Sequence, residues 1–386
     1  MKKRIKPLLF LICMVSIAAM VHTMCSNARS SKTAYVALGD SIAAGYGLPG
    51  YSGSQETPPA DSYQSVVSRF LKTDPVNFAV TGDDSTDCIN ILNSGKADEA
   101  LSDAGIITIS IGSNDLLKPF IEIAKEAFGI TESNGSMDIS KLEAYYAGFK
   151  DASLIDILAI ANDFADKIKD NKVLHEKVQG FSSNFSKIID ILKEKAPEAE
   201  IYVTNIYNPY KDVMVLGNLA DAYIKEINNA FTDNSESYTL IDVYTLFAKE
   251  NLVNTKFDIS DLGNINLDPH PSKKGHARIA SAILDALNAK HAPSRVKVGQ
   301  IKSTTKNTVI IKLSCPSGKS GYEIEFASSK NGKWKKLKDT SKNNNKIKSA
   351  KLKSGKTYYF RARSYNNLNG VKYYSGYSQV KKAKIK

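Results

Sequence analysis

The sequence predicts an α/β doubly wound unit followed by a small all-β sandwich. Three observations carry that prediction. Five short, nearly continuous apolar runs are spaced along residues 33–290, the mark of a parallel sheet covered on both faces. Amphipathic stretches at helical spacing separate them, and strand–helix alternation is the pattern of an α/β fold. From residue 295 onward, short runs alternate apolar and polar residues between Gly- and Asn-containing turns, which reads as a sandwich of roughly 90 residues. The chain's 386 residues suit two domains at about 150 residues each. A hydrophobic content of 42% and a charged content of 24% exclude a fully disordered chain, a collagen-like fibre and a multi-span membrane protein. The core can be large enough to need no metal or disulfide staple.

The chain opens with Lys2, Lys3, Arg4 and Lys6 ahead of an apolar run from Leu8 to Val21. That run is 14 residues long, short of the roughly 20 that a bilayer span needs. Residues 1–28 therefore read as a secretory signal peptide, with small Ser26 and Ala28 before the cut. The expected location is secreted or cell-surface associated. Cys25 offers a lipoprotein anchor, but Met24 stands where that chemistry wants a small residue.

Strand runs follow at Ala34–Leu38, Val76–Val80, Ile106–Ile111, Ile201–Ile206 and Tyr238–Val243. Three of them run into polar turns at Gly39-Asp40, Thr81-Gly82 and Gly112, and open α/β sheets place their sites at strand carboxyl ends. Helical spacing is clearest at Phe185, Ile188, Ile189 and Leu192 before Pro197, and at Ala280, Ile283, Leu284 and Leu287. Between Asp115 and the fourth run lie 85 residues. One crossover helix needs far fewer, so a helical insertion over about 118–178 is expected beside the site, with Tyr145, Tyr146 and Phe149 as pocket candidates. Near Pro293 the character changes. Val309–Leu313, Tyr322–Phe326 and Tyr358–Ala362 read as strands, with turns at Asn331-Gly332 and Ser354-Gly355. The expected domains are 29–292 and 293–386.

The net charge of +12 divides unevenly. Residues 295–386 hold 24 Lys and Arg against Glu323, Glu325 and Asp339, a net +21. The leader carries +4, which leaves −13 on residues 29–294. An acidic body joined to a basic tail predicts two surfaces with different partners. Within the tail, Lys333, Lys335, Lys336 and Lys338 crowd around Trp334. An anionic cell-wall polymer or a membrane surface is the expected partner of residues 293–386. Nucleic acid is not, since export separates the protein from it. Cys88 and Cys315 remain after the leader, in different expected domains. They are too few for a structural zinc site and argue against a disulfide. No metal or cofactor is expected.

Three turns hold residues suited to chemistry. Ser41 follows the first run in Gly39-Asp40-Ser41, where a loosened turn can expose a hydroxyl and point its amide at an oxyanion; such a turn alone is more often a helix cap. Asn114 follows the third run in Gly112-Ser113-Asn114-Asp115, and its side-chain amide is a donor suited to an oxyanion hole. Gly82 can offer a further backbone amide. His270 lies in Asp268-Pro269-His270-Pro271, two residues from a carboxylate that can fix its tautomer. His276, on the last helical stretch, reads as structural.

In this order the blocks resemble the GDSL/SGNH hydrolase family. The resemblance covers roughly residues 33–290 and implies a flavodoxin-like three-layer fold with a five-stranded parallel sheet. It implies Ser41 as nucleophile, His270 as base, and the Ser41 amide, Gly82 amide and Asn114 side chain as the oxyanion hole. One feature departs from the family. Its acid usually stands three residues before the His, where this chain has Leu267; Asp268 stands two before, the alternatives being Asp261 as a backup acid or a Ser–His dyad. The tail is similar to a fibronectin type III module. Leu352-x-x-Gly355-x-Thr357-Tyr358-x-Phe360-x-Ala362 matches its tyrosine-corner strand, with Phe360 and Ala362 inward.

The expected function is that of an exported serine esterase acting on carboxylic esters: a lipid, a short-chain ester or an O-acetyl carbohydrate. The rival is a non-catalytic surface-binding or adhesive protein that uses its basic C-terminal domain.

Overall fold

The computed structural model describes residues 32–132, 138, 141, 154–169, 171–212, 214–231, 236–258, 266, 268–314, 319–340, 346–350 and 352–386. The leader with Cys25, the pocket candidates Tyr145, Tyr146 and Phe149, the backup acid Asp261, and Cys315 lie outside the described residues.

The apolar runs form β1 (Ala34–Gly39), β2 (Pro75–Asn77), β3 (Ala104–Ser110), β4 (Glu200–Thr204) and β5 (Thr239–Ile241). They pair in parallel in the order β2-β1-β3-β4-β5. That is the flavodoxin-like doubly wound order, whose switch point lies between β1 and β3. The period of two divides each strand between two cores. Val36, Leu38, Ile107, Ile109, Ile201 and Val203 face one layer; Tyr35, Ala37, Tyr202 and Ile241 face the other.

Three strands, β2, β4 and β5, are shorter than their apolar runs. Beyond Asn77 the chain stays beside β1, with Phe78 N–H donating to Ala37 O at 2.8 Å and Val80 N–H to Gly39 O at 3.0 Å. Beyond Ile241, the Asp242 side chain turns back to cap the next helix by accepting from Thr245 N–H.

The helices are α1 (Ser41–Ala44), α2 (Tyr63–Leu71), α3 (Ser85–Asn93), α4 (Asp98–Ser102), α5 (Ser113–Phe128), α6 (Leu154–Lys169), α7 (Lys172–Lys195), α8 (Met214–Ala230), α9 (Val243–Ala248), α10 (Asn251–Asn254) and α11 (Lys273–His291). Phe181, Phe185, Ile188, Ile189 and Leu192 seat α7 in the first core, while Ile279, Ile283 and Leu287 seat α11 in the second. The long interval after Asp115 thus holds α5, α6 and α7 among the described residues.

The C-terminal strands are β6 (Val298–Lys302), β7 (Thr308–Leu313), β8 (Gly321–Ala327), β9 (Lys335–Thr340), β10 (Lys346–Ala350), β11 (Thr357–Leu368), β12 (Val371–Tyr374) and β13 (Lys381–Lys384). They make two antiparallel sheets, β10-β7-β6 and β12-β11-β8-β9, with β13 also on β11. This is a fibronectin type III-like sandwich. Val309, Ile311, Tyr322, Ile324, Phe360 and Ala362 fill it. The Tyr358 hydroxyl accepts from Lys353 N–H at 3.3 Å, the backward bond that defines a tyrosine corner.

The sandwich rests directly on the α/β unit. Val371 and Tyr373, in the hairpin formed by β11 and β12, belong to the same buried cluster as Ile283 and Leu287 of α11. The Tyr373 ring meets Phe70 edge-on at 5.7 Å and lies 4.8 Å from the His291 ring. Tyr374 N–H donates to Asn288 Oδ1 at 3.0 Å, and Lys72 Nζ to Gly370 O at 2.6 Å.

Candidate active site

Strands β1 and β3 leave the sheet side by side, and the residues that follow them form one wall of a cleft. Gly39 has φ +127°, and a Cβ there would sit 1.9 Å from Ser110 O. Only glycine lets the two strand ends approach this closely. Asp40 is fully buried and caps α1, its Oδ1 accepting from Ile42 N–H at 3.0 Å. Its Oδ2 has no hydrogen-bond partner. Burial pushes this carboxyl up to about 7, against the hydrogen bond from Ile42. Ser41 is the first residue of α1. That helix is a single turn ended by Gly45, so it supplies oriented N–H groups rather than a summed dipole.

His270 reaches Ser41 across 229 residues of chain. Asp268 Oδ1 accepts from His270 Nδ1–H at 2.5 Å and from His270 N–H at 2.9 Å. A proton held on Nδ1 leaves Nε2 as an acceptor, and Ser41 Oγ lies 2.9 Å from it. The one-residue shift of the acid is accommodated because Asp268 bonds both the ring and the backbone of His270. Its other oxygen, Oδ2, accepts from Lys256 Nζ at 3.1 Å. Burial pushes Asp268 up, but the His270 and Lys256 contacts outweigh it and hold the carboxyl well below the usual range.

The histidine loop is fixed by its neighbours. Lys256 N–H donates to His270 O at 2.9 Å and Ser272 N–H to Asn254 O at 2.8 Å. Tyr207 Oη–H donates to Pro269 O at 2.6 Å. Tyr46 lays its ring 4.6 Å from the imidazole. Gly47 leaves room for Lys256, whose Nζ lies 1.9 Å from where a Cβ would be.

On the far side, Asn114 lies in the first turn of α5. Its Nδ2 donates one hydrogen to Asp83 O at 2.8 Å, and the amide has a second hydrogen to offer. Asp115 is 1% exposed. It accepts from Ser85 N–H at 2.9 Å and from Ser85 Oγ at 2.5 Å, tying the start of α5 to the start of α3. Burial pushes Asp115 up to about 6 despite these bonds. Asp84 caps α3 and takes ion pairs from Lys118 at 3.3 Å and Lys177 at 3.1 Å.

Ser41, Asn114, His270 and Pro269 line one cleft with Ile42, Leu117, Phe120, Ile206, Tyr207 and Ile224. The space within it, open mouth included, is about 610 Å³. The lining away from Ser41 and His270 is almost entirely apolar. Gly82, at φ +92° in the loop before Asp83, is not among the lining residues. His276 is fully buried on α11 and its Nδ1 accepts from Tyr63 N–H at 3.3 Å. Burial, with the Lys256 and His270 charges, pushes it down to about 3. Cys88 is buried, and burial pushes its thiol up to about 12, which removes it as a nucleophile. Among the described residues no group of three or more His, Cys, Asp or Glu side chains is clustered for a metal ion.

Sequence reasoning does not find Lys256 or Tyr46, and gives Asp115 no role of its own. A lone Lys or Tyr on a loop carries no pattern, and each acquires its place only through a partner distant in the chain. The Asp115 signal was present, next to Asn114, but reads equally as a helix cap.

A serine, a histidine and an acid meet at the switch point of a parallel sheet of flavodoxin-like strand order. Residues 37–278 match the family model described as GDSL-like Lipase/Acylhydrolase family, and the chain belongs to that family. It is accordingly a hydrolase acting on esters. It is 26% identical over 269 residues to the uncharacterized protein YpmR of Bacillus subtilis (strain 168), covering 67% of this chain and 82% of that one. Among solved structures it is similar to the lipase Lip_vut3 from a goat rumen metagenome, at 20% identity and TM-score 0.44, covering 65% of this chain and 96% of that one. The Fn3-like protein of Clostridium thermocellum aligns at 14% identity and TM-score 0.21, covering 25% of this chain and 95% of that one.

Proposed function

We propose that the protein is an exported serine esterase working through an acyl-enzyme on Ser41. Ser41 Oγ attacks the ester carbonyl carbon as its proton passes to His270 Nε2. The Asn114 side chain and the Ser41 and Gly82 amides hold the resulting oxyanion. Collapse breaks the bond to the alcohol, which leaves with the proton from His270. Water then repeats the sequence and frees the carboxylic acid. Asp268 orients the imidazole and stabilises its charged form.

The observation that carries this reading is the continuous contact from Asp268 through His270 to Ser41, opening on an apolar cleft. That lining suits the acyl chain of a lipid or short-chain ester better than a polar acetylated sugar. The +21 charge of residues 295–386 supports retention at an anionic wall or membrane outside the cell.

A fluorophosphonate probe on the full chain tests the reading, followed by esters of graded acyl length. Labelling at Ser41, absent in Ser41→Ala, is the expected result. A folded protein left unlabelled would favour the non-catalytic surface binder.

A further inference from the structure

Basic residues lie on both sheets of the sandwich, but its acids lie on one alone. All three acids of residues 295–386 lie on β8 and β9, and all three are paired. Glu325 takes Arg361 at 2.6 Å, Glu323 takes Arg363 at 2.6 Å and Lys336 at 3.1 Å, and Asp339 takes Lys372 at 2.7 Å. Arg361 also stacks on Trp334 and Tyr377, and Arg363 on Tyr374. The basic cluster that the sequence places around Trp334 is therefore partly neutralised.

The other sheet holds no acid in any strand. Its inward side chains, Val309, Ile311, Leu313 and Ile347, are in the core. The opposite face presents Lys302, Lys312, Lys346 and Lys348, all exposed, around Ile310. Register makes two rows of them: Lys302 and Lys348 flank Ile310, and Lys312 stands directly across from Lys346. Lysines gathered on one face raise its positive potential, and a negatively charged ligand lying along it meets several of them at once.

The geometry points to the outer face of β10-β7-β6 as the binding surface for a linear anionic polymer. This rests on the proposed retention at an anionic wall and assigns it a place and a ligand. Every cation in these strands is lysine, a compact point charge, whereas Arg361 and Arg363 are spent on the other sheet. Such a face reads charge density along a chain rather than one group's shape. No aromatic side chain occurs in the three strands to stack bases. Nor is any of the exposed large apolar residues Tyr46, Val76, Val173, Val253 or Leu368 on this face to enter a bilayer.

The test measures binding of the full chain to linear inorganic polyphosphate across a salt series. A K302Q/K312Q/K348Q variant is compared with the charge-matched K330Q/K335Q/K338Q. The variant should keep its fold, checked by an unchanged thermal midpoint and unchanged hydrolysis of a small soluble ester. The face variant is expected to lose at least about tenfold in affinity and to flatten the salt slope by about two. The control should change less than about threefold. Equal losses in both variants overturn the assignment to this face while keeping retention by charge. Binding to anionic vesicles without binding to polyphosphate overturns the polymer in favour of a lipid surface. Failure of the unmodified chain to bind either one removes the retention reading itself.

Discussion

Lys256 Nζ and His270 share one carboxylate: the amine holds Asp268 Oδ2 at 3.1 Å while the imidazole holds Oδ1 at 2.5 Å. The acid stands one residue closer to the histidine than the family pattern has it, and Lys256 fixes which oxygen turns toward the ring. Asp268→Asn should lower kcat by about 10³–10⁴-fold. Lys256→Met should lower it by about tenfold. The double variant should be no slower than Asp268→Asn, because Lys256 acts through the acid. A further multiplicative loss in the double variant would show Lys256 acting by another route.

Ser41 and His270 should likewise behave as one unit. Each change to Ala should cost at least about 10⁴-fold in kcat, and both together little more. Losses that multiply would separate the two residues into different steps.

Two buried groups give stability opposite pH slopes. The Asp40 carboxyl, held near 7 by burial, keeps a proton that the unfolded chain releases near 3.9. Its contribution to stability therefore falls as pH rises through that window and stays low above it. His276, pushed down to about 3, refuses a proton that the unfolded chain takes up near 6.5, so stability falls as pH drops below that value. Between about pH 4 and 6.5 the slopes oppose each other. Asp40→Asn should unmask the histidine. Its stability relative to the parent should grow with pH, by at most about 1.4 kcal/mol per unit up to about pH 7, then level off. Chemical denaturation at four pH values reads this directly. A difference that does not vary with pH would place a charged Asp40 in the folded state.

Leu117 lines the cleft beside Ser113 and Asn114 and is half-buried. Leu117→Trp should narrow the apolar end and shift preference toward short acyl chains. Turnover of an acetate ester should stay within about threefold of the parent, because a two-carbon acyl group does not reach that end, whereas each methylene shut out of it is worth about 10-fold or more. Unchanged chain-length selectivity in a folded variant would remove the cleft from the acyl-binding role.

Much of the sheet was legible because buried parallel strands leave a purely local trace. Ala34–Leu38 is apolar throughout, Ile106–Ile111 is broken only by Thr108 and Ser110, and each runs into a glycine. The candidate site was legible only where chemistry demands a residue type at a strand end, as with Ser41, Asn114 and His270. Asp40 reads as a plain helix cap, and only its burial beneath β3 gives it a displaced proton affinity. Tyr373 reads as one more sandwich aromatic. Its contact with Phe70 links positions some three hundred residues apart, which no local pattern encodes.

That tyrosine makes the C-terminal module part of the hydrolase's own support. Tyr373→Ala should lower stability by about 3 kcal/mol. Catalytic constants per folded molecule should not change, because the hairpin contacts α11 and α2 rather than the cleft. A thermal midpoint equal to the parent's would mean the contact is ornamental.

Only Ala292 to Lys297 separate the end of α11 from β6, and the Tyr373 hairpin clamps the junction from the side. A chain built this way is a bracket, not a leash. Whatever holds the sandwich also fixes the heading of the catalytic mouth, so an anchored molecule would address the esters within one arc and leave its neighbours' territory untouched. Spacing between anchoring points, rather than diffusion of the enzyme, would then set which bonds are ever met.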